Sequence, residues 1–313
     1  MPHDRLRLLV VTNMWPSGPQ PARGVFVRDQ VRALRALDGV EVDVCVIDGV
    51  RRPWRYATAA ARLPRRADGH DVVHVHYGLT GLAVLGLPRR LPVVLTVHGR
   101  DCHHPLVRRV TALVGRRAAA VVAVSDELAR ICPVRVDEVI PTGVNTGLFR
   151  AIPRTEAREQ LGLPTDGRFV LFPADRARPE KRYELAQELV GAVPGLEVHA
   201  LSGRPRHEVP LWINAADAVV VTSEREGYGL ACVEALACDV PVLSTPVGVA
   251  PTILSGVEGT LCAPFDVDVW RAHLTKILES DDPRVVGRAL AETHSVSASA
   301  RRLLDVYRRV RAS

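Results

Sequence analysis

Eleven short runs of β-branched and other apolar residues punctuate the 313-residue chain, and stretches of helical spacing separate most of them. Runs without polar alternation make strands covered on both faces, and covered strands joined by helices form parallel sheets. The runs fall into two series. The first occupies residues 6–12, 41–47, 72–75, 93–97, 120–124 and 138–140, with helices expected over 25–37, 80–85 and 106–116. Turn formers then dominate residues 141–149, which read as an exit loop. The second series occupies 169–172, 197–201, 218–222, 240–244 and 259–262, with helices over 181–190, 210–216, 230–237 and 267–279. The expected class is therefore α/β, with doubly wound domains at residues 1–148 and 149–294. A closing helical run at 295–313, with Leu303, Val306, Tyr307 and Val310 on one side, is expected to pack back toward the first domain. Two doubly wound halves in series place a ligand cleft where the carboxyl ends of both sheets face each other.

Composition narrows the setting. No run approaches the roughly 20 apolar residues that span a bilayer, and the N-terminal apolar run is too short and strand-like for a signal peptide. A cytoplasmic location is expected. Six cysteines are scattered without CxxC pairs, so buried free thiols are expected, and no metal-ligand cluster is visible. The net charge of +6 divides into +9 over residues 1–150 and −3 over 151–313. Arginines of the first half lack the interleaved aromatics of a stacking platform, which argues against nucleic-acid binding. Residues 53–66 join Trp54 and Tyr56 to Arg55, Arg62, Arg65 and Arg66. Such a segment suits an anionic membrane surface, at the inner face of the cell membrane, or else a solvated basic helix.

The densest chemistry lies between Ser223 and Val242. The apolar run 218–221 leads into Glu226-Gly227-Tyr228-Gly229-Leu230, then into a helix-forming stretch carrying Glu234. A glycine turn opening a helix offers backbone N–H groups and the positive end of the helix dipole to an anion such as a diphosphate. The flanking carboxylates, Glu226 in the loop and Glu234 on the helix, accept hydrogen bonds in pairs, as sugar and ribose hydroxyls require. The plainer reading is a tight turn and a solvated glutamate, since Cys232 occupies the third glycine position of a dinucleotide fingerprint.

Other motifs fall at carboxyl ends of expected strands: Trp15-Pro16 with Gly24-Val25-Phe26-Val27, Thr96-Val97-His98-Gly99-Arg100-Asp101, Ile140 to Phe149, and Asp175 to Arg182. Together with residues 226–242 they resemble the family 4 glycosyltransferases of GT-B fold, retaining enzymes that use nucleotide-sugar donors. Residues 226–242 are similar to that family's EGFGLxxxEAxAxGxPVVxT pattern, with Asp239 at the glycine, and residues 175–182 to its GRxxxEKG, with Arg182 at the last glycine. The resemblance implies two Rossmann-like domains facing a central cleft. The second is shortened, because only Arg204 to Val209 stand where a further strand-helix unit is usual.

By position, the resemblance assigns the diphosphate to Arg176, Lys181 and the turn Gly227, Tyr228, Gly229 and Leu230. Glu226 takes hydroxyls of the transferred sugar or acts as nucleophile, and Glu234 takes the ribose. Gly203 and Arg204 are expected near the base, and Gly24 lets a first-domain loop approach the phosphates. His98 is expected at the reaction centre with Asp101 beside it, while His74 and His76 share one strand face and either line the cleft or are bonded within the domain. The expected partners are a nucleotide-sugar donor and a glycan or lipid-linked acceptor, with no metal or other cofactor. Synthesis of cell-envelope polysaccharide or glycolipid is the implied setting. A non-catalytic nucleotide-sugar or carbohydrate-binding module and a sugar-nucleotide epimerase of the same fold are the competing readings.

Overall fold

The computed structural model describes residues 5–18, 23–49 and 54–312. Arg51, Arg52 and Pro53 of the basic stretch lie outside the described residues. The chain divides into two compact units, Met1–Gly143 with Val296–Ser313, and Val144–Ser295.

The first unit runs β1 (Leu6–Thr12), α1 (Val25–Arg35), β2 (Val40–Val46), α2 (Trp54–Arg66), β3 (Val72–His76), β4 (Val93–Val97), α3 (Arg100–His103), α4 (Pro105–Gly115), β5 (Ala120–Ala123), α5 (Asp126–Ile131) and β6 (Glu138–Val139). These strands form one parallel sheet in the order β2-β1-β3-β4-β5-β6. Every residue of β3, β4 and β5 is buried, as strands covered on both faces require. Residues 80–84, expected as an α-helix, form a 3-10 turn, and α2, α3 and α5 were not separable from loop by apolar period.

The second unit contains α6 (Arg154–Leu161), β7 (Arg168–Phe172), α7 (Tyr183–Gly191), β8 (Leu196–Ala200), α8 (Val209–Ala215), β9 (Ala218–Val221), α9 (Leu230–Ala237), β10 (Val242–Ser244), α10 (Ala250–Ile253), β11 (Leu261–Cys262), α11 (Val267–Ile277) and α12 (Arg288–Thr293). Its sheet is parallel in the order β11-β10-β9-β7-β8. Val170, Phe172, Val220 and Leu243 meet Leu189 of α7 and Trp270 and Leu274 of α11 in its core. The chain then returns to the first unit as α13 (Val296–Arg311), where Leu303, Val306, Tyr307 and Val310 join Leu8, Val10, Val31 and Leu34.

Among the described residues, three non-glycine residues adopt left-handed backbone, and two of them stand where the resembled pattern has glycine. Arg182 (φ 53°) separates a 3-10 turn at Pro179–Lys181 from α7, so the single helix expected over 181–190 is broken there. Asp239 (φ 57°) follows α9, and its Oδ1 accepts the N–H groups of Gly287 (3.0 Å) and Arg288 (2.9 Å) at the start of α12. A short carboxylate tolerates the left-handed region better than most side chains, and this one offsets the strain by capping a second helix. Arg182 has only its φ in common with glycine.

A buried ion network ties α6 to the second sheet. Arg158, fully buried, donates through Nε to the Ala215 carbonyl at 2.8 Å and through Nη2 to Asp217 Oδ2 at 3.2 Å. The same Oδ2 accepts the Phe169 N–H at 2.8 Å, and Arg154 pairs with Oδ1. Replacing Asp217 by alanine leaves two guanidinium groups uncompensated, one of them fully buried. Urea unfolding of Asp217→Ala is expected to show a loss of about 3 kcal/mol, and a loss below about 1 kcal/mol, the level of an exposed pair, would show that the network carries little stability.

Candidate active site

Strand β9 delivers the second unit's chemistry. Just past it, the buried Thr222 donates from Oγ1 to the carbonyls of Lys181 and Arg182, each at 2.9 Å, so the turn carrying Lys181 is fixed against the strand end. Thr245, past β10, donates to the Ser223 carbonyl at 2.6 Å. On this footing Glu226 Oε1 receives Lys181 Nζ at 2.5 Å and Ser223 Oγ at 2.8 Å. The two charged side chains are only 11% and 15% exposed, so the pair is largely withdrawn from solvent screening.

The next residues turn into α9. Gly229, left-handed at φ 93°, caps the helix, and the Tyr228 carbonyl accepts the Val249 N–H at 2.7 Å. A Cβ at Gly248 would lie 2.4 Å from that carbonyl oxygen, so the loop can sit there only against glycine. The Tyr228 hydroxyl bonds His294 Nδ1 at 2.7 Å, and burial raises its pKa. Tyr228 thus anchors the loop, and the helix N-terminus opens beside the cation of Lys181.

Three of the expected site residues have partners within the protein. The Arg176 guanidinium lies over the Tyr183 ring, 5.8 Å from its centroid. Glu234, buried on α9, pairs through Oε1 with Arg206, which also stacks 4.6 Å from the Phe149 centroid. Arg204, after the left-handed Gly203, lies 4.2 Å over Trp212, so its guanidinium packs on an indole. Arg206 went unrecognised because the Arg-Pro-Arg loop offers two equivalent arginines, and only the loop path decides which one meets α9.

In the first unit, β3 and β4 bring three imidazoles together. His74 bonds Thr96 Oγ1 through Nε2 and the Tyr307 hydroxyl through Nδ1, both at 2.7 Å, which places it inside the unit. His76 Nδ1 lies 3.0 Å from His98 Nε2, while His76 Nε2 is buried with no partner among the described residues. A bare lone pair is cheaper to bury than an orphaned N–H, so the favoured tautomer has His76 donating to His98. Neutral His98 then carries its proton on Nδ1. Burial holds His74 and His98 at about 3, and His76 well below its ordinary value.

Asp101, fully buried, fixes the same loop. Its oxygens accept the N–H groups of Gly78 (2.5 Å) and His98 (2.6 Å), and burial raises its pKa to about 6 against those bonds. Asp101 therefore positions the segment carrying His98. Gly24, left-handed at φ 66°, opens α1, and a Cβ there would lie 2.3 Å from the Met14 carbonyl oxygen. The visible need for glycine at this position is close packing within the first unit.

The family model "Glycosyltransferase Family 4" matches residues 7–148, and "Glycosyl transferases group 1" matches residues 194–291. A D-inositol 3-phosphate glycosyltransferase of Thermobispora bispora is 31% identical over 305 residues, covering 76% of this chain and 70% of that one. The chain belongs to glycosyltransferase family 4. The transferase is also 30% identical to the D-inositol 3-phosphate glycosyltransferase of Mycobacterium marinum, covering 77% of this chain and 64% of that one. Its fold matches sucrose-phosphate synthase from Thermosynechococcus elongatus at TM-score 0.81 and 20% identity, over 98% of this chain and 99% of that one. HepE of Anabaena, solved in complex with UDP-glucose, matches at TM-score 0.74 and 18% identity, over 96% and 98%. These are GT-B structures, and the transferase shares that fold.

The transferase's histidines couple its stability to pH. In the unfolded chain each takes up a proton near 6.5, whereas folded His74 and His98 do so only near 3, so between those values the unfolded state binds more protons. Stability therefore falls as pH falls through that window. Asp101 opposes this between about 6 and its ordinary 3.8, where the folded state binds the extra proton. Calorimetry is expected to show the melting temperature dropping from pH 7 to pH 4, less steeply in His98→Asn. An identical slope in that variant would contradict the assigned burial of the imidazole.

Proposed function

We propose that this transferase moves a sugar from a nucleotide-diphosphate sugar to a hydroxyl-bearing acceptor with retention at the anomeric carbon. The supporting observation is the Lys181–Glu226 pair beside the α9 N-terminus: a withdrawn cation, a carboxylate and a glycine turn at one strand end. The bond from the anomeric carbon to the diphosphate oxygen breaks with its electron pair going to the diphosphate, while the acceptor hydroxyl oxygen bonds the same carbon from the same face and its proton passes to the departing diphosphate oxygen. Preorganised donors that meet this growing charge lower the barrier most. Lys181 and the backbone of Gly227 to Leu230 supply them, and Arg176 completes the clamp by rotating off Tyr183. Exchange of Lys181 from Glu226 to phosphate releases Glu226 to accept hydroxyls of the transferred sugar. This charge set does the work that a metal would otherwise do.

In the same reading Glu234 takes the ribose, sharing its carboxylate with Arg206, and Gly203 and Arg204 border the base. The first unit takes the acceptor, with His98 offering the Nδ1 proton to a hydroxyl, Asp101 holding its loop, and Gly24 shaping the loop that opens α1. The complexes of HepE make UDP-glucose the first donor to test, and the inositol phosphate relatives make phosphorylated polyols the first acceptors, ahead of glycans and lipid-linked saccharides of the cell envelope. Helix α2 carries four arginines and no acid and exposes Trp54, which supports peripheral contact with an anionic membrane from the cytoplasmic side; no helix among the described residues is long and apolar enough to cross one.

Incubation with a panel of nucleotide sugars, read as nucleoside diphosphate release, tests this function. Release is expected with one donor, reduced about a hundredfold or more in Lys181→Met and Glu226→Gln. Reversible isomerisation of the donor would indicate an epimerase, and tight binding without turnover a recruiting module; either result would overturn transfer.

A further inference from the structure

Tyr307, His74, His76, His98 and Phe26 stand in sequence through the first unit, with neighbouring ring centroids 5.5, 4.2, 5.2 and 5.1 Å apart. The parallel register of β3 and β4 sets this series up: His76 pairs with Thr96, and His98 follows just past the end of β4. His74 is fixed at both ring nitrogens by Thr96 and Tyr307, and it packs against His76. His76 meets His98 with the ring planes only 22° apart and Nδ1 3.0 Å from Nε2, while Phe26 of α1 also packs on His98. Burial keeps both imidazoles neutral at pH 7, so each carries one ring proton, and a bond between them joins one N–H to one lone pair. His76 Nε2 is buried without a partner among the described residues, where an N–H would be the costlier group, so His76 donates and His98 Nε2 accepts. His98 is only partly buried, and its Nδ1 has no protein partner among the described residues.

We infer that His76 is a positioning residue: it holds the His98 ring in one plane and in the Nδ1–H form, so that His98 meets a ligand as a hydrogen-bond donor to an oxygen lone pair and not as a base. This rests on the reading that His98 serves the transfer. A histidine without such a partner exchanges its proton between the two nitrogens, and in the Nε2–H form it presents a bare lone pair at Nδ1. That form can only accept at Nδ1, which turns away any oxygen that has no proton to give. With Nε2 occupied by His76, the group left to the ligand is an N–H, which suits an oxygen on which negative charge grows. Fixing the tautomer in advance also removes the cost of selecting it when the ligand binds. The role asks of residue 76 only one N–H at this place, so an amide can supply it and an alkyl group cannot.

Nitrogen NMR of the full chain with isotope-labelled histidine at pH 7 reads the tautomer of each imidazole, the His98 signals being assigned by their loss in His98→Asn. The unmodified protein is expected to show both His76 and His98 protonated at Nδ1. His76→Leu is expected to lose that preference at His98, and His76→Asn, whose amide N–H can take the place of Nδ1–H, to keep it. Nucleoside diphosphate release should follow the tautomer, with kcat about tenfold lower or more in His76→Leu at a donor KM within about twofold, and restored to within about threefold in His76→Asn. His98 protonated at Nε2 in the unmodified protein, an unchanged His98 tautomer in His76→Leu, or a kcat in His76→Asn as low as in His76→Leu would overturn the inference. The NMR measurement needs no substrate, so absence of release by the unmodified protein with every donor would count against the transfer reading alone.

Discussion

The loop from Glu226 to Gly229 holds its course because Gly248 lets the chain approach the Tyr228 carbonyl where a Cβ would collide at 2.4 Å. From that contact follow the Val249 N–H bond to the same carbonyl, the left-handed cap at Gly229 and the direction in which α9 opens. Tyr228, bonded to His294, anchors the loop from its other side. Thr222 and Thr245 then fix the two chain segments that bring Lys181 and Ser223 up to Glu226. The site is thus built from backbone approach first and side-chain charge second.

Placing Lys181 against Glu226 solves an electrostatic problem. A cation is costly to withdraw from water alone, and so is a carboxylate. Paired, each compensates the other. Arg206 and Glu234 repeat the arrangement one helical stretch along. The first unit does the opposite: His74, His76 and His98 are kept neutral by burial, so their contribution is through directed hydrogen bonds.

The parallel sheets were legible because β-branched runs such as Leu6–Thr12 and Ala218–Val221 have no other means of burial on both faces. The strand-end position of Glu226, Lys181 and His98 was legible for the same reason. Side-chain partnerships were not. Nothing in spacing tells Arg204, which lies on Trp212, from Arg206, which takes Glu234, or shows Arg176 turned onto Tyr183. Short helices such as α3 and α5 have too few turns for an apolar period to register. The glycine departures at Arg182 and Asp239 were visible in the sequence, but their meaning, left-handed backbone at both and a helix cap at one, is a tertiary fact.

The central claim is that the Lys181–Glu226 pair is the resident form of a donor site. A crystal structure of the protein with a bound nucleoside diphosphate sugar tests it most directly. The account predicts the diphosphate within hydrogen-bonding reach of the 227–230 backbone, Lys181 Nζ moved from Glu226 to a phosphate oxygen, and Glu226 on a sugar hydroxyl. A diphosphate bound elsewhere, with the 2.5 Å pair unbroken, would contradict it.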